Sequence, residues 1–283
     1  MQNNASIHLT GFLGEFIGTF ILVFFGCGSV AISVVFGPQT GLFQVAVIWG
    51  IGVALAIYTT RHISCAHLNP AVSIAMVAAG RMVPVKIYSY LAGQFAGALF
   101  AAMLVYFLFS DSIGQYEAVN NIVRGSRASI KTAMIFGEFY PNPGMGGLAV
   151  VSTLTAFIAE TTGTLFLVFF IFSFTEGCNV GRPDDSLSPL FVGLAVTIII
   201  CIIAPLTQAG LNPARDLSPR LFAWAAGWGK AAFPDNFHGF ITVYVMGPIL
   251  GGLLAAFIFR KIIEPVMIGK NKSSGCNCEN RIK

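Results

Sequence analysis

The sequence predicts an all-α membrane protein: six transmembrane helices plus two re-entrant half-helices, arranged as an inverted internal repeat. Three observations carry this. Residues 16–60, 87–110 and 236–259 contain no Asp, Glu, Lys or Arg, and about 20 mostly apolar residues suffice to cross the ~30 Å hydrocarbon core. Asn-Pro-Ala occurs twice, at Asn69-Pro70-Ala71 and at Asn212-Pro213-Ala214. Each copy opens an apolar segment too short to cross.

The third observation is self-similarity. Glu15, Gly18 and Thr19, followed by Leu22, Val23, Phe24 and Phe25, match Glu160, Gly163 and Thr164, followed by Leu167, Val168, Phe169 and Phe170. Leu68 to Ala71 match Leu211 to Ala214. Gly93, Gly97, Leu99, Ala101 and Ala102 match Gly247, Gly251, Leu253, Ala255 and Ala256. Chance composition makes any one of these blocks, but hardly all three in order.

Composition agrees. Hydrophobic residues make up 55% of the chain and charged residues 10%, against about 25% charged in soluble domains. No separate soluble domain is expected. Residues 1–262 read as one transmembrane domain, with repeat A at about 11–108 and repeat B at about 150–262, and 263–283 as a cytoplasmic tail. The apolar run from residue 16 is not a cleavable signal, because it lacks a basic leader and continues into a second apolar segment.

Hydropathy places the spans near 11–35, 42–60, 86–108, 150–174, 187–206 and 238–260. A short turn at 37–41 joins the first two. Residues 110–147 read as a long polar loop and 176–185 as a charged connector. The segments 70–80 and 213–226 remain. At 1.5 Å per residue the first reaches only about 16 Å, which marks a re-entrant or buried piece.

Six spans put both ends on one side. The tail after residue 259 carries Arg260, Lys261, Lys270, Lys272, Arg281 and Lys283, so the positive-inside bias makes both ends cytoplasmic. Arg61, Arg81, Lys86 and Arg182 fall on the same side. Arg124, Arg127 and Lys131 dissent, in a long loop that also carries Asp111, Glu117 and Glu138. The net charge of +4 fits basic cytoplasmic ends, and no Lys/Arg run of the nucleic-acid type is present.

Each half has three spans, an odd number, so the second half enters the membrane upside down. Inverted repeats with short broken helices at corresponding places point to a solute site near the midplane. The two short helices would enter from opposite faces and meet start to start. Pro suits the first helical position, and Asn before it is a favoured N-cap. Each helix start carries about half a positive charge. Two such ends repel cations, while Asn69 and Asn212 offer amide N–H groups to a passing oxygen. A solute with hydroxyls can exchange water for these donors more easily than an ion can.

The non-helical stretches 64–68 and 208–211 must line a cavity, because unpaired backbone is not tolerated against lipid. Carbonyls around Cys65, Ala66, His67, Gln208 and Gly210 then supply acceptors. Glu15 and Glu160 are intramembrane carboxylates, which are costly and usually functional. They read as structural, accepting N–H bonds from those loops. A proton relay is the alternative.

At these residues the chain resembles the aquaporin and glycerol-facilitator family, the major intrinsic proteins, over about residues 10–262. The segments His67 to Val72 and Gly210 to Arg215 carry the resemblance. It implies a homotetramer with one pore per subunit, passing water or small uncharged solutes passively, with no cofactor. It also implies a four-residue outer constriction at Trp49, Ile200, Ala209 and Arg215. Strict water channels typically carry His where Ile200 sits, so this ring is expected to be wider and more apolar. His67 is expected to line the pore. Asp216 directly after Arg215, with Arg220 four residues on, resembles the glycerol-facilitator branch. Two departures stand out: Ala209 replaces a second aromatic, and Tyr244 stands where Pro is usual. The Trp, Ile, Ala, Arg set is closer to the plant nodulin-like branch and its bacterial relatives, which pass glycerol, boric acid or arsenite.

The expected function is therefore a channel for small neutral solutes, led by glycerol, with water and other small polyols or urea, in the inner or plasma membrane. Ions and protons are excluded, and no nucleic acid is involved. A metalloid channel of the same family is the alternative within the class. A coupled secondary transporter is disfavoured by the scarcity of intramembrane charge, and a non-transporting scaffold by the intact Trp49 and Arg215. No nucleophile–base pair, nucleotide-binding glycine loop or His/Cys cluster points to an enzyme. Among the six cysteines, Cys27 and Cys201 fall in spans, so no disulfide framework is expected. Cys276 and Cys278 read as a reduced tail, with a soft-metal site as the alternative. Trp224 and Trp228 read as interfacial anchors, and the Gly-x-x-x-Gly spacings as close helix packing.

Overall fold

The computed structural model describes residues 4–37, 41–233 and 238–274. The turn residues 38–40 and both tail cysteines, Cys276 and Cys278, lie outside the described residues. Six helices are long and apolar enough to cross a membrane: His8–Phe36, Leu42–Ser64, Pro84–Val119, Thr153–Thr175, Ser188–Thr207 and Ile241–Lys270. Among the described residues there is no strand.

The first half consists of α1 (Asn4–Phe36), α2 (Leu42–Ser64), the half-helix α3 (Pro70–Ala78) and α4 (Ile87–Val119). A short helix, α5 (Ile130–Ala133), sits in the connection. The second half consists of α6 (Thr153–Thr175), α7 (Ser188–Thr207), the half-helix α8 (Pro213–Ala223) and a last helix that begins at His238 and is helical to Ser274.

Glycine sets the closest helix contacts. A Cβ on Gly97 of α4 would stand 2.3 Å from the Phe16 carbonyl oxygen of α1, and one on Gly251 of the last helix 2.2 Å from that of Thr161 in α6. The two halves meet where Gly50 of α2 crosses Gly193 of α7, each barring a side chain on the other. Exposed Leu, Ile and Phe cover much of the outer surface, the arrangement a lipid-facing bundle requires.

Two boundaries differ from the sequence reading. Helix α4 runs to Val119, so the polar loop begins about ten residues later than hydropathy implies. Ile113 and Glu117, one turn apart, are both buried, and they keep the helix intact past the first charge. The last helix does not stop near residue 260. It passes through wide turns at Ile241–Met246 and Phe259–Ile263. The first of these precedes Pro248, which has no N–H to give and crowds the carbonyl four residues back. Trp228 is fully buried and donates Nε1–H to Thr132 Oγ1 at 2.9 Å; only Trp224 is exposed. Cys27, Cys65 and Cys201 are free thiols, but Cys178 is disulfide-bonded, against the expectation of none.

Candidate functional site: two helix starts facing one cavity

Asn69 and Asn212 cap their half-helices from extended backbone, at φ −157° and −145°. Asn69 Oδ1 accepts from the Ala71 N–H at 2.8 Å. Asn212 Oδ1 accepts from Ala214 and Arg215 N–H at 3.0 and 3.2 Å. Pro70 and Pro213 follow each cap, where no N–H is needed. With 9 and 11 residues, the half-helices extend only about 14 and 16 Å.

The two starts are tied to each other. Asn69 Nδ2 donates to the Leu211 carbonyl, and Asn212 Nδ2 donates to the Leu68 carbonyl, both at 2.8 Å. A side-chain amide has two N–H groups. One of each is used in this reciprocal bond, and the other is available to a solute.

The loops before the caps share one backbone pattern. Cys65, Ala66 and Leu68 have φ of 71°, 50° and 54°; Gln208, Ala209 and Leu211 have 62–63° and 56°. Six non-glycine residues in the left-handed region are strained and persist only where the surroundings dictate them. Glu15 and Glu160 do this. Glu15 accepts the N–H groups of His67 at 2.9 Å and Leu68 at 2.6 Å, with the Ser64 hydroxyl at 2.8 Å. Glu160 accepts those of Gly210 at 2.9 Å and Leu211 at 2.7 Å, with the Thr207 hydroxyl at 2.5 Å. Both carboxylates are fully buried. The Tyr90 hydroxyl donates to the Ser64 carbonyl, and the Tyr244 hydroxyl to that of Thr207 at 3.0 Å. Tyr244 thus repeats in the second half what Tyr90 does in the first.

A cavity of about 1230 Å³ runs past this junction. It is lined by Asn69, Asn212, Trp49, Ile200, Ala209 and Arg215, and by Cys65, Ala66, His67, Gln208 and Gly210. All eleven residues that the sequence assigns to a passage therefore face one space. Glu15, Glu160 and Asp216 stand behind its wall. The far end is lined by Arg61, His62 and Lys86.

Arg215 is buried, with its guanidinium carbon 4.3 Å from the Trp49 ring centroid. It is ion-paired with Glu138. Glu138 comes from the loop after α5, and a second buried pair holds that loop. Arg220 Nε and Nη2 donate to the two Asp216 oxygens at 3.0 and 2.6 Å. Arg220 also donates to the carbonyls of Ala232, at 2.5 Å, and Glu138, and Asp216 Oδ1 accepts the Glu138 N–H at 2.7 Å. Asp216 is thus a brace that sets Glu138 against Arg215. Burial pushes the Glu138 carboxyl up to about 8, with Arg215 pulling it down.

Sequence reasoning missed Glu138, because it lies outside the repeat with nothing local to mark it. It also missed Ser64 and Thr207, although each stands five residues before its Asn in the repeat. Gln94 and Ser73, beside Glu15, carried no such signal.

Such a fold and junction define a multi-pass membrane protein whose two inverted halves put a pair of half-helix starts at one cavity. The chain belongs to the major intrinsic protein family, whose model matches residues 3–259. It is 40% identical over 270 residues to the glycerol uptake facilitator protein of Haemophilus influenzae, covering 94% of this chain and 97% of that one. It is 41% identical over 252 residues to the glycerol uptake facilitator protein of Escherichia coli, covering 89% and 87%. A propanediol uptake facilitator of Citrobacter freundii is 38% identical over 260 residues, 92% of each chain. The solved aquaglyceroporin of Plasmodium falciparum superposes with a TM-score of 0.79 at 26% identity, over 92% of this chain and 99% of that one.

Proposed function

We propose that the protein is a passive channel for glycerol and similar small uncharged solutes, water included, that excludes ions and protons. One observation carries this beyond family membership: Arg215 lies over the Trp49 ring at one end of a cavity that both Asn amides line. Glycerol has a hydroxyl edge and a carbon edge. The guanidinium offers donors to the first, and the indole face gives the second an apolar wall.

In this reading Trp49, Ile200, Ala209 and Arg215 form the selective ring. Asn69 and Asn212 are the midpoint donors, and the carbonyls of residues 65–67, 208 and 210 are acceptors along the way. Glu15 and Glu160 hold the loops. Two opposed helix starts raise the energy of a cation at the junction, including hydronium. The channel domain comprises residues 1–262 and the tail 263–283. Both ends are cytoplasmic, because the basic residues at 260, 261, 270, 272, 281 and 283 gather in the final part of the last helix and beyond it. The assembly is a homotetramer in the inner or plasma membrane, with one conduit per subunit. The metalloid alternative is not favoured, since the relatives named above are glycerol and propanediol facilitators.

Proteoliposomes test this. Stopped-flow light scattering should show glycerol and water entry well above empty vesicles, while voltage-clamped bilayers show no added current. Accumulation of glycerol driven by a proton or sodium gradient would reject a passive pore. Cross-linking in native membranes should give species up to four subunits; a monomer alone would reject the tetramer.

A further inference from the structure

The first half carries a buried polar chain that the second half lacks. Gln94 Nε2 donates to Glu15 Oε2 at 2.7 Å and to Ser73 Oγ at 2.9 Å. Glu15 fixes the amide direction, because the flipped amide would set two acceptors against each other. Ser73 Oγ therefore already accepts a proton, and Ser73 is fully buried. Its own hydroxyl hydrogen needs a partner. His67 Nδ1 lies 3.2 Å from Ser73 Oγ. A hydrogen on Nδ1 would make Ser73 accept twice and strand its hydroxyl proton in a dry site, the costly case for a buried donor. A bare Nδ1 satisfies both groups. The hydrogen of the neutral ring then sits on Nε2, which bonds to no described protein group, while His67 lines the cavity.

Building on the channel reading above, we propose that the Glu15–Gln94–Ser73 chain holds His67 as the Nε2–H tautomer, and that this N–H is a donor to solute on the α3 side of the junction. The repeat supports the assignment. The counterparts of His67, Ser73 and Gln94 are Gly210, Asp216 and Pro248, which build no such chain. In the second half the extra donor is Arg215, whose counterpart is Val72. Each half thus adds one donor beyond its Asn: an imidazole on one side, a guanidinium on the other. Ser73 and Gln94 are positioning residues that act through His67.

Histidine-specific ¹⁵N labelling of the full-length protein in lipid bilayers tests this by solid-state NMR. The chain has 4 histidines, and the resonance lost in His67→Asn identifies the one of interest. The expected spectrum has a protonated Nε2 and a bare Nδ1; a protonated Nδ1 would overturn the proposal. Ser73→Ala should move the tautomer ratio towards Nδ1–H by about fivefold, the equivalent of one ordinary hydrogen bond. Ser73→Thr, which keeps the hydroxyl, should retain the wild-type spectrum. Glycerol flux relative to water should fall in Ser73→Ala and recover in Ser73→Thr. An unchanged flux ratio in a variant whose tautomer has switched would overturn the donor role. Absence of glycerol flux from the wild type would instead overturn the channel reading, while the NMR result would still decide the tautomer.

Discussion

Around Asn69 the half-helix start is backed by Ser73, Gln94 and His67. At Asn212 the corresponding places hold Asp216, Pro248 and Gly210, with Arg215, Arg220 and Glu138 added. The capping itself recurs part for part: an Asn cap, a Pro, a left-handed loop, a buried Glu on two backbone N–H groups, and a Tyr hydroxyl on the carbonyl that ends the preceding span. The difference teaches which part of the design symmetry demands. Each helix start must be capped and its loop carbonyls turned inward, so both halves solve that problem alike. The side chains that each half adds around this frame answer to no such shared demand, an imidazole on one side and a guanidinium on the other, and there the halves diverge.

The comparison breaks most readily at the charged pair. Asp216→Ala strands Arg220 in a buried site, and removing one partner of such a pair costs about 3–5 kcal/mol. Its counterpart Ser73→Ala removes two neutral bonds, to Gln94 and to His67, about 1–2 kcal/mol in all. Thermal unfolding in detergent should show this gap; equal losses would mean that the Asp216–Arg220 brace adds nothing beyond ordinary bonding.

Symmetry itself is tested by Glu15→Gln against Glu160→Gln. Each puts an amide N–H₂ where backbone donors point, at about 2–3 kcal/mol. The two variants should lose folded yield to a similar degree, without acquiring ion coupling. Proton-dependent solute uptake lost in either variant would favour the relay role instead.

Selectivity is tested at the asymmetric end. Ile200→His combined with Ala209→Phe should narrow the ring and cut glycerol flux several-fold more than water flux. Equal loss of both would remove these residues from the constriction.

The smallest effect concerns pH. The Glu138 carboxyl is raised from 4.5 to about 8 by burial, so the folded chain holds this proton longer than the unfolded chain. Its contribution to stability is then greatest below about pH 4.5 and is lost as pH rises through 8. Glu138→Gln should flatten that slope in the unfolding midpoint. An identical slope in both proteins would mean that another group titrates.

Much of the site was legible before any coordinates. Spacing alone gave the two caps, and the matched blocks located Glu15 and Glu160 behind the loops. What escaped was tertiary. The α4 helix passes Asp111 because Ile113 and Glu117 face inward, and hydropathy reads where lipid ends and not where a helix ends. Glu138 reaches Arg215 through a loop that no repeat constrains. Trp228 looks like an interfacial residue in one dimension, yet Thr132, Tyr106 and Phe136 surround it.

The most direct test of the central proposal is a high-resolution structure of the protein soaked in glycerol. Glycerol should lie in single file along the cavity, hydroxyls on Arg215 and on the free amide hydrogens of Asn69 and Asn212, and carbons against Trp49. Half-helix starts that stand apart, or that close on each other with no ordered solute between the rings of residues, would contradict it.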